Sequence, residues 1–423
     1  MTDYVSSILK SEYGISDRII DISKRAEEKC ADELKKADEI GEYNGIKVLN
    51  SFKNHKISAE HLGSTTGYGY DDIGRDTLDK VYAEAFGAED AMVRHSFVNG
   101  THTIATCLFA VLRPGDTLVA ATGKPYDTLE EVIGIRGGKG SLKEFGVNYR
   151  QVDLVDSKVD FEGLKNAIDH TCKAVAIQRS KGYGWRESLT VEEIGEIISF
   201  VKNIRSDIIC IVDNCYGEFV ETIEPTNLGA DMIVGSLIKN PGGGLAQSGG
   251  YIAGTKECIE LASYAMTCAG IGRECGSTLG NNLSMYQGFF MAPHTVAQSV
   301  KASVFCSALL SEMGYDVMPK YNSKRTDIIT AVKLLSDEKL IKFCQGIQKG
   351  APIDSFVLPM PWDMPGYENQ VIMAAGAFTQ GASIEISADG PLKEPYIAYF
   401  QGGLTYESAK VAIMCAAENI INL

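Results

Sequence analysis

Two short apolar runs constrain this chain more than any other feature. IICIVD, residues 208–213, and ADMIVGS, residues 230–236, are too short for buried helices and rich in branched side chains. Each therefore predicts a strand buried on both faces. The first stops at Asp213; the second ends at Ser236, and Lys239 follows three residues on, just before the glycine cluster PGGG. In an open parallel sheet ligands bind beyond the carboxyl ends of the strands, so both runs aim polar side chains at one crevice.

The surrounding sequence alternates in the same sense. LVAAT (118–122), VNYRQVDLV (147–155) and KAVAIQRS (173–180) predict strands, while FEGLKNAI (161–168) and TVEEIGEIISFVKNI (190–204) predict helices. Strands that alternate with helices of this length argue for right-handed βαβ units, an α/β class and a mostly parallel sheet. Residues 1–55 read as an N-terminal helical arm, with Ile15, Ile19, Ile22, Ala26, Cys30 and Leu34 at helical spacing and Ser16 as its cap. Residues 56–294 form the expected large domain. A smaller α+β domain is expected over 295–423, with strands YDVMP (315–319), SFVLPMP (355–361) and GASIEISA (381–388) and a last helix at 407–421.

Composition narrows the partners. With 40 basic against 55 acidic residues the net charge is −15, which attracts neither nucleic acid nor an anionic membrane surface. The eleven cysteines are odd in number, include no C-x-x-C pair and sit in apolar segments, as expected of buried thiols in a reducing cytoplasm rather than of disulfides or a metal site. The N-terminus lacks the basic and apolar regions of a secretory signal, and no apolar run approaches the roughly 20 residues of a membrane span.

An acid at one strand end and a lysine 26 residues later, after the next strand, is the pair that a pyridoxal 5′-phosphate (PLP) site requires. PLP draws electrons from a substrate only while its pyridine nitrogen stays protonated, and a carboxylate beside that nitrogen keeps the proton there. Asp213 suits that role. The cofactor aldehyde condenses with an unprotonated amine, so Lys239 is expected in a pocket that lowers its pKa. Ser236 is placed to offer a hydroxyl to the phosphate. Asn99-Gly100-Thr101 leads into an apolar helix, whose first amides suit a phosphate. The helix dipole contributes only about 0.3–1 kcal/mol at an exposed site, so Thr101 and Ser236 must share the task. His102 is either a neighbour of the ring or a cap of that helix. Arg179 leaves a strand end beside the same crevice, where a guanidinium forms paired bonds to a carboxylate; a structural role is the other reading. The passage GGGLAQSGG after Lys239 fits neither a P-loop nor a dinucleotide fingerprint.

With these residues the chain resembles the fold-type I PLP-dependent enzymes. More closely, it resembles the methionine γ-lyase and cystathionine β-lyase-like group often labelled aluminium resistance proteins, from about Gly45 to QGGLTYESAKVAI near the end. The resemblance implies the fold-type I PLP-dependent transferase fold and a cytoplasmic homodimer or homotetramer whose active sites are shared between subunits. Tyr126, 25 residues after Thr101, falls where the family has a tyrosine that stacks on the pyridine ring and helps proton transfer. Tyr70 falls at a tyrosine on a loop that reaches a neighbouring active site; the arginine expected with it is Asp72 here, with Arg75 one helical turn away.

The implied function is elimination of a thiol from a sulfur-containing amino acid, with Lys239 and Tyr126 catalytic and Gly100, Thr101, Tyr126, Asp213, Ser236 and Lys239 around the cofactor. Tyr70 and Arg179 would meet the substrate. No arginine follows Arg325, so the small-domain arginine that clamps a substrate carboxylate in the family is missing, and Arg179 or Lys393 would replace it. An aminotransferase, an aldolase and a non-catalytic PLP-binding stress-response protein share the same lysine and aspartate.

Overall fold

The computed structural model describes residues 2–364 and 367–423. It divides into two units, one made of Asn44–Gly182 and Ser188–Met291, the other of Met1–Tyr43, Tyr183–Glu187 and Ala292–Leu423. The first 43 residues thus group with the C-terminal part of the chain.

Three helices open the chain: α1 (Asp3–Tyr13), α2 (Asp17–Lys29) and α3 (Ala31–Asn54). Ser16 caps α2 as its sequence predicts, its hydroxyl accepting the Ile19 amide, and Ile19, Ile20, Ile22 and Ala26 are buried along one face.

The alternation expected from the sequence is present. α4 (Ile73–Ala85), β1 (Asp90–Arg94), α5 (Gly100–Val111), β2 (Thr117–Ala120), α6 (Asp127–Ile133), β3 (Asn148–Gln151), α7 (Phe161–Ala167) and β4 (Cys172–Gln178) follow in turn. Then come α8 (Val191–Ile204), β5 (Ile209–Asp213), β6 (Met232–Ser236), β7 (Gly250–Gly254) and α9 (Lys256–Met266). The seven strands form one sheet in the order β1-β7-β6-β5-β4-β2-β3. The block from β6 to β3 is parallel, whereas β7 runs antiparallel to both neighbours. β1 therefore points the same way as the parallel block, and its carboxyl end lies on the same edge as theirs.

Local chemistry explains the elements. Thr190 and Glu193 cap the start of α8 reciprocally, and Val191, Ile194, Ile197, Ile198 and Val201 bury one stripe of it. Met92, Leu118, Ala174, Ile211, Val234 and Ile252 carry the core across the sheet beneath Ile104 and Leu108 of α5. Burying a leucine or isoleucine of this kind contributes about 1.5–3 kcal/mol.

After α10 (Asn282–Glu312), the second unit contains β8 (Asp316–Met318), β9 (Ile329–Lys333), α11 (Asp337–Lys349), β10 (Val371–Ala374), β11 (Ser387–Pro391), β12 (Ile397–Gln401) and α12 (Tyr406–Ile420). The strands form an antiparallel sheet in the order β10-β11-β12-β9-β8. Two expected strands differ. SFVLPMP forms none: Phe356, Val357 and Leu358 are exposed, and its two prolines lack the amides a ladder needs. In GASIEISA the strand begins only at Ser387, because Glu385 folds back to accept the amides of Phe378 and Thr379 at 2.6 and 2.8 Å. Among the described residues no helix is long and apolar enough to cross a membrane.

Candidate active site

The site is built at the carboxyl edge of the large sheet. β5 ends at Asp213, in register with Gln178 of β4, while Val234 of β6 pairs with it from the other side. β6 ends at the buried Ser236, and the Lys239 amide donates to the Ser236 carbonyl at 3.2 Å, folding the chain into a tight turn. α5 begins at Gly100. A Cβ on Gly100 would stand 3.6 Å from Cβ of Ser236 and 3.7 Å from Sγ of Cys215. The start of α5, the end of β6 and the turn after β5 are therefore packed together.

The helix start is ordered by its own side chains. Oδ1 of Asn99 accepts the His102 amide at 2.8 Å, and the hydroxyls of Thr101 and Thr128 pair at 2.7 Å. His102 is exposed and turns Nδ1 back to accept the Val98 amide at 3.2 Å, which is the capping role. Tyr126 stands at the start of α6, its amide donated to Oε1 of Gln178 at 2.9 Å. Pro125, Thr122, Gln178 and Asp213 line one cavity, so the segment carrying Tyr126 lies against the strand ends.

The electrostatics centre on Asp213 and Lys239. Burial pushes the Asp213 carboxyl up, while the Lys239 charge and the Cys215 amide, which donates to Oδ1 at 3.1 Å, act in the opposite sense. The expectation of a lowered pKa for Lys239 is corrected here. Burial does work against its ammonium, but the thiol of Cys215, the phenol of Tyr216 and the carboxyl of Asp213 face it and hold the amine above its ordinary value. A carboxylate beside an amine favours the charged form, and so does a hydrogen bond made to it.

One expected residue falls elsewhere. Arg179 is wholly buried: Nη1 donates to Oδ1 of Asn214 at 2.7 Å, Nη2 to Oε1 of Glu221 at 2.8 Å, and Oε2 of Glu224 lies 3.6 Å from Nη1. Its guanidinium holds the turn after β5 and has no exposed donor for a substrate carboxylate. Tyr70 is 60% exposed on a loop packed against residues 274–278. Arg75 is tied into that packing, Nη1 donating to the carbonyls of Gly69 and Gly276 at 2.6 and 2.8 Å, so it is not available to a phosphate. Asp72 caps α4. Gly100, Ser236, Asp213 and Lys239 are thus brought together, with Tyr126 joined through Gln178. The sequence reading missed Cys215, Tyr216 and Glu218, whose only signal is their position in the turn NCYGEF right after Asp213.

The donor set fits PLP. Oγ of Ser236 is buried and has no hydrogen-bond partner among the described residues, and a buried hydroxyl left unpaired costs about 1–3 kcal/mol. A phosphate oxygen at the start of α5 would satisfy it.

A mostly parallel sheet, with a carboxylate closing one central strand and a lysine just after the next, defines the fold-type I class of PLP-dependent enzymes. YhfS of Escherichia coli, described as pyridoxal-5′-phosphate dependent, shares the fold at a TM-score of 0.62 and 18% identity over 92% of this chain and 97% of its own. Residues 19–421 match the methionine gamma-lyase family, and the chain belongs to that family. The chain is similar to the carbon-sulfur lyase involved in aluminum resistance from Clostridium novyi NT, with 53% identity, a TM-score of 0.96 and coverage of 99% of this chain and 100% of that one. It is also 54% identical over 390 residues to the uncharacterized protein YnbB of Bacillus subtilis (strain 168), covering 92% of this chain and 93% of YnbB.

Proposed function

We propose that the protein is a PLP-dependent carbon-sulfur lyase that eliminates a thiol from the β or γ carbon of a sulfur-containing amino acid. One observation carries this reading: the unpartnered Ser236 hydroxyl lies beside the start of α5, on the same strand edge as Asp213 and Lys239. Asp213 would stand at the pyridine nitrogen, Lys239 at the aldehyde, Tyr126 against the ring, and Ser236, Gly100 and Thr101 around the phosphate. When bound, PLP supplies an electron sink for charge left on the substrate α-carbon.

The remaining chemistry belongs to side chains. Nζ of Lys239, as a free amine, would take the α-proton of the substrate. Asp213 would hold a proton at the ring nitrogen by its negative charge. The products balance as thiol, ammonia and a keto acid, with one water consumed. Tyr70, exposed on its loop, is read as a residue offered to a neighbouring subunit's site in a homo-oligomer.

The test is borohydride reduction of the PLP-treated protein with mass mapping of the modified peptide, followed by assays for thiol and keto acid. Label on Lys239, thiol release without an amino-group acceptor, and loss of both in Lys239→Ala are expected. Keto acid formed only when an acceptor is present would make the protein an aminotransferase instead.

A further inference from the structure

The Tyr216 ring packs on the Lys239 amine, and it is held there against its own backbone preference. Nζ of Lys239 lies over the Tyr216 ring, 4.1 Å from its centroid, and the Tyr216 hydroxyl hydrogen-bonds the same amine. Tyr216 has φ +72°, in the left-handed region that a bulky residue rarely adopts. Such an outlier persists only where its surroundings over-determine it.

The surroundings do so here. The Gly217 amide donates to the Asn214 carbonyl at 2.9 Å, and Nδ2 of Asn240 donates to the Glu218 carbonyl at 3.0 Å. Oε1 of Glu224 accepts the Phe219 amide at 2.9 Å. Gly217 is packed on Arg179 so closely that a Cβ there would come within 2.4 Å of the guanidinium. Arg179 therefore supports the turn that aims Tyr216, and it reaches the lysine only through that turn.

We propose that Tyr216 is a positioning residue for Lys239: its ring face seats the ε-ammonium and keeps Nζ in place whenever the amine is not covalently engaged. A cation over a tyrosine face is attracted by the ring's electron density, most strongly where water is excluded. The other ionisable groups facing the amine are Asp213 at the end of β5 and Cys215 and Glu218 in the same turn. Asp213 stabilises the charged amine as well, so the ring adds to an attraction already present, while burial keeps the Cys215 thiol neutral. Deprotonation of Lys239, which condensation with an aldehyde requires, must work against that seat. Tyr216 thus makes the free lysine slower to react but keeps it aimed.

This inference rests on the PLP reading for its purpose but not for its test. Reductive methylation of the protein without added PLP, followed by mass spectrometry of the Lys239 peptide across pH, reports how readily this one amine deprotonates. In Tyr216→Leu the midpoint of labelling is expected about 0.4–1.5 pH units lower, the worth of one cation–ring contact. In Tyr216→Phe, which keeps the ring and loses the hydroxyl, the shift should be less than half as large. An unchanged midpoint in Tyr216→Leu overturns the proposal. So does a Tyr216→Phe shift equal to that of Tyr216→Leu, which would assign the contact to the hydroxyl. Should Tyr216→Leu not fold, Tyr216→Phe still decides, because a shift of a full unit there is incompatible with a ring seat. Uptake of PLP by the unmodified protein, measured separately, reports on the cofactor reading alone.

Discussion

Nη2 of Arg179 donates to Oε1 of Glu221 at 2.8 Å, and both side chains are buried, as is Glu224 beside them. The same Glu221 oxygen accepts the Val191 amide at 2.9 Å, linking the ion pair to the first turn of α8. Arg179→Ala leaves two carboxylates inside without their cation, and breaking a buried pair from one side costs about 3–5 kcal/mol. Urea denaturation is expected to show a loss of that size. A substrate-binding arginine would instead leave the midpoint unmoved and weaken only substrate affinity.

Glu218 gives stability a pH dependence of defined sign. It is fully buried, Oε1 accepts the Tyr251 hydroxyl at 2.9 Å, and burial, reinforced by Glu224, pushes its carboxyl from an ordinary 4.5 up to about 8. Between those values the native state keeps a proton that the unfolded chain has released, so stability falls as pH rises through the window and the whole penalty is present above about 8. Each pH unit of the window is worth roughly 1.4 kcal/mol at most. Glu218→Gln keeps the bond from Tyr251 and carries no charge. Its denaturation midpoint should fall less steeply over the window, where the buried Asp389, pushed up to about 7, still contributes, and should exceed the parent's at alkaline pH; an unaltered slope would place the pH dependence elsewhere.

Ser236→Ala separates stability from cofactor binding. Because Oγ has no partner among the described residues, removing it relieves an unsatisfied buried group and should leave the PLP-free protein as stable or up to about 1 kcal/mol more so. The same change removes a donor to a charged phosphate, worth about 1.5–3 kcal/mol, so PLP affinity should fall roughly ten-fold or more. Thermal unfolding without PLP and equilibrium titration with PLP give the two readouts. A variant that lost stability while keeping its affinity would show that the hydroxyl serves the fold.

The strand ends were legible because the period of the sequence and the chemistry of its polar residues agreed. IICIVD and ADMIVGS are buried strands as their branched side chains require, and Asp213, Ser236 and Lys239 stand at their ends. Gly100 was legible as a helix start from the apolar helix that follows it, while the cap, Asn99, was not named in advance. Arg179 was misread because a strand-end arginine looks the same whether it faces a crevice or two carboxylates, and Glu221 and Glu224 lie more than 40 residues away in sequence. Tyr216 was missed because nothing in a tyrosine announces a left-handed backbone. That conformation is imposed by Asn240, Glu224 and Arg179 from outside the turn. The strand expected at SFVLPMP shows the opposite error, an apolar run taken as buried although its prolines deny it a ladder.

The start of α2 is fixed at both ends of the chain at once. Oε2 of Glu418, in the last turn of α12, accepts the amide and the hydroxyl of Ser16 at 2.9 and 2.7 Å, while the same hydroxyl accepts the Ile19 amide. Ser23, two helical turns along α2, meets Met414, one turn back along α12. Ser16→Ala removes the cap and one bond to a carboxylate together, an expected loss of about 1–2 kcal/mol. Glu418→Gln keeps both acceptor contacts without the charge and should lose less. If the two residues act through each other, the double variant will be less destabilised than the sum of the singles, because Ser16→Ala already removes the hydroxyl that donates to Glu418. Strict additivity in urea denaturation would mean that the serine stabilises α2 by capping alone, and that the C-terminal helix holds the N-terminal one by its apolar face.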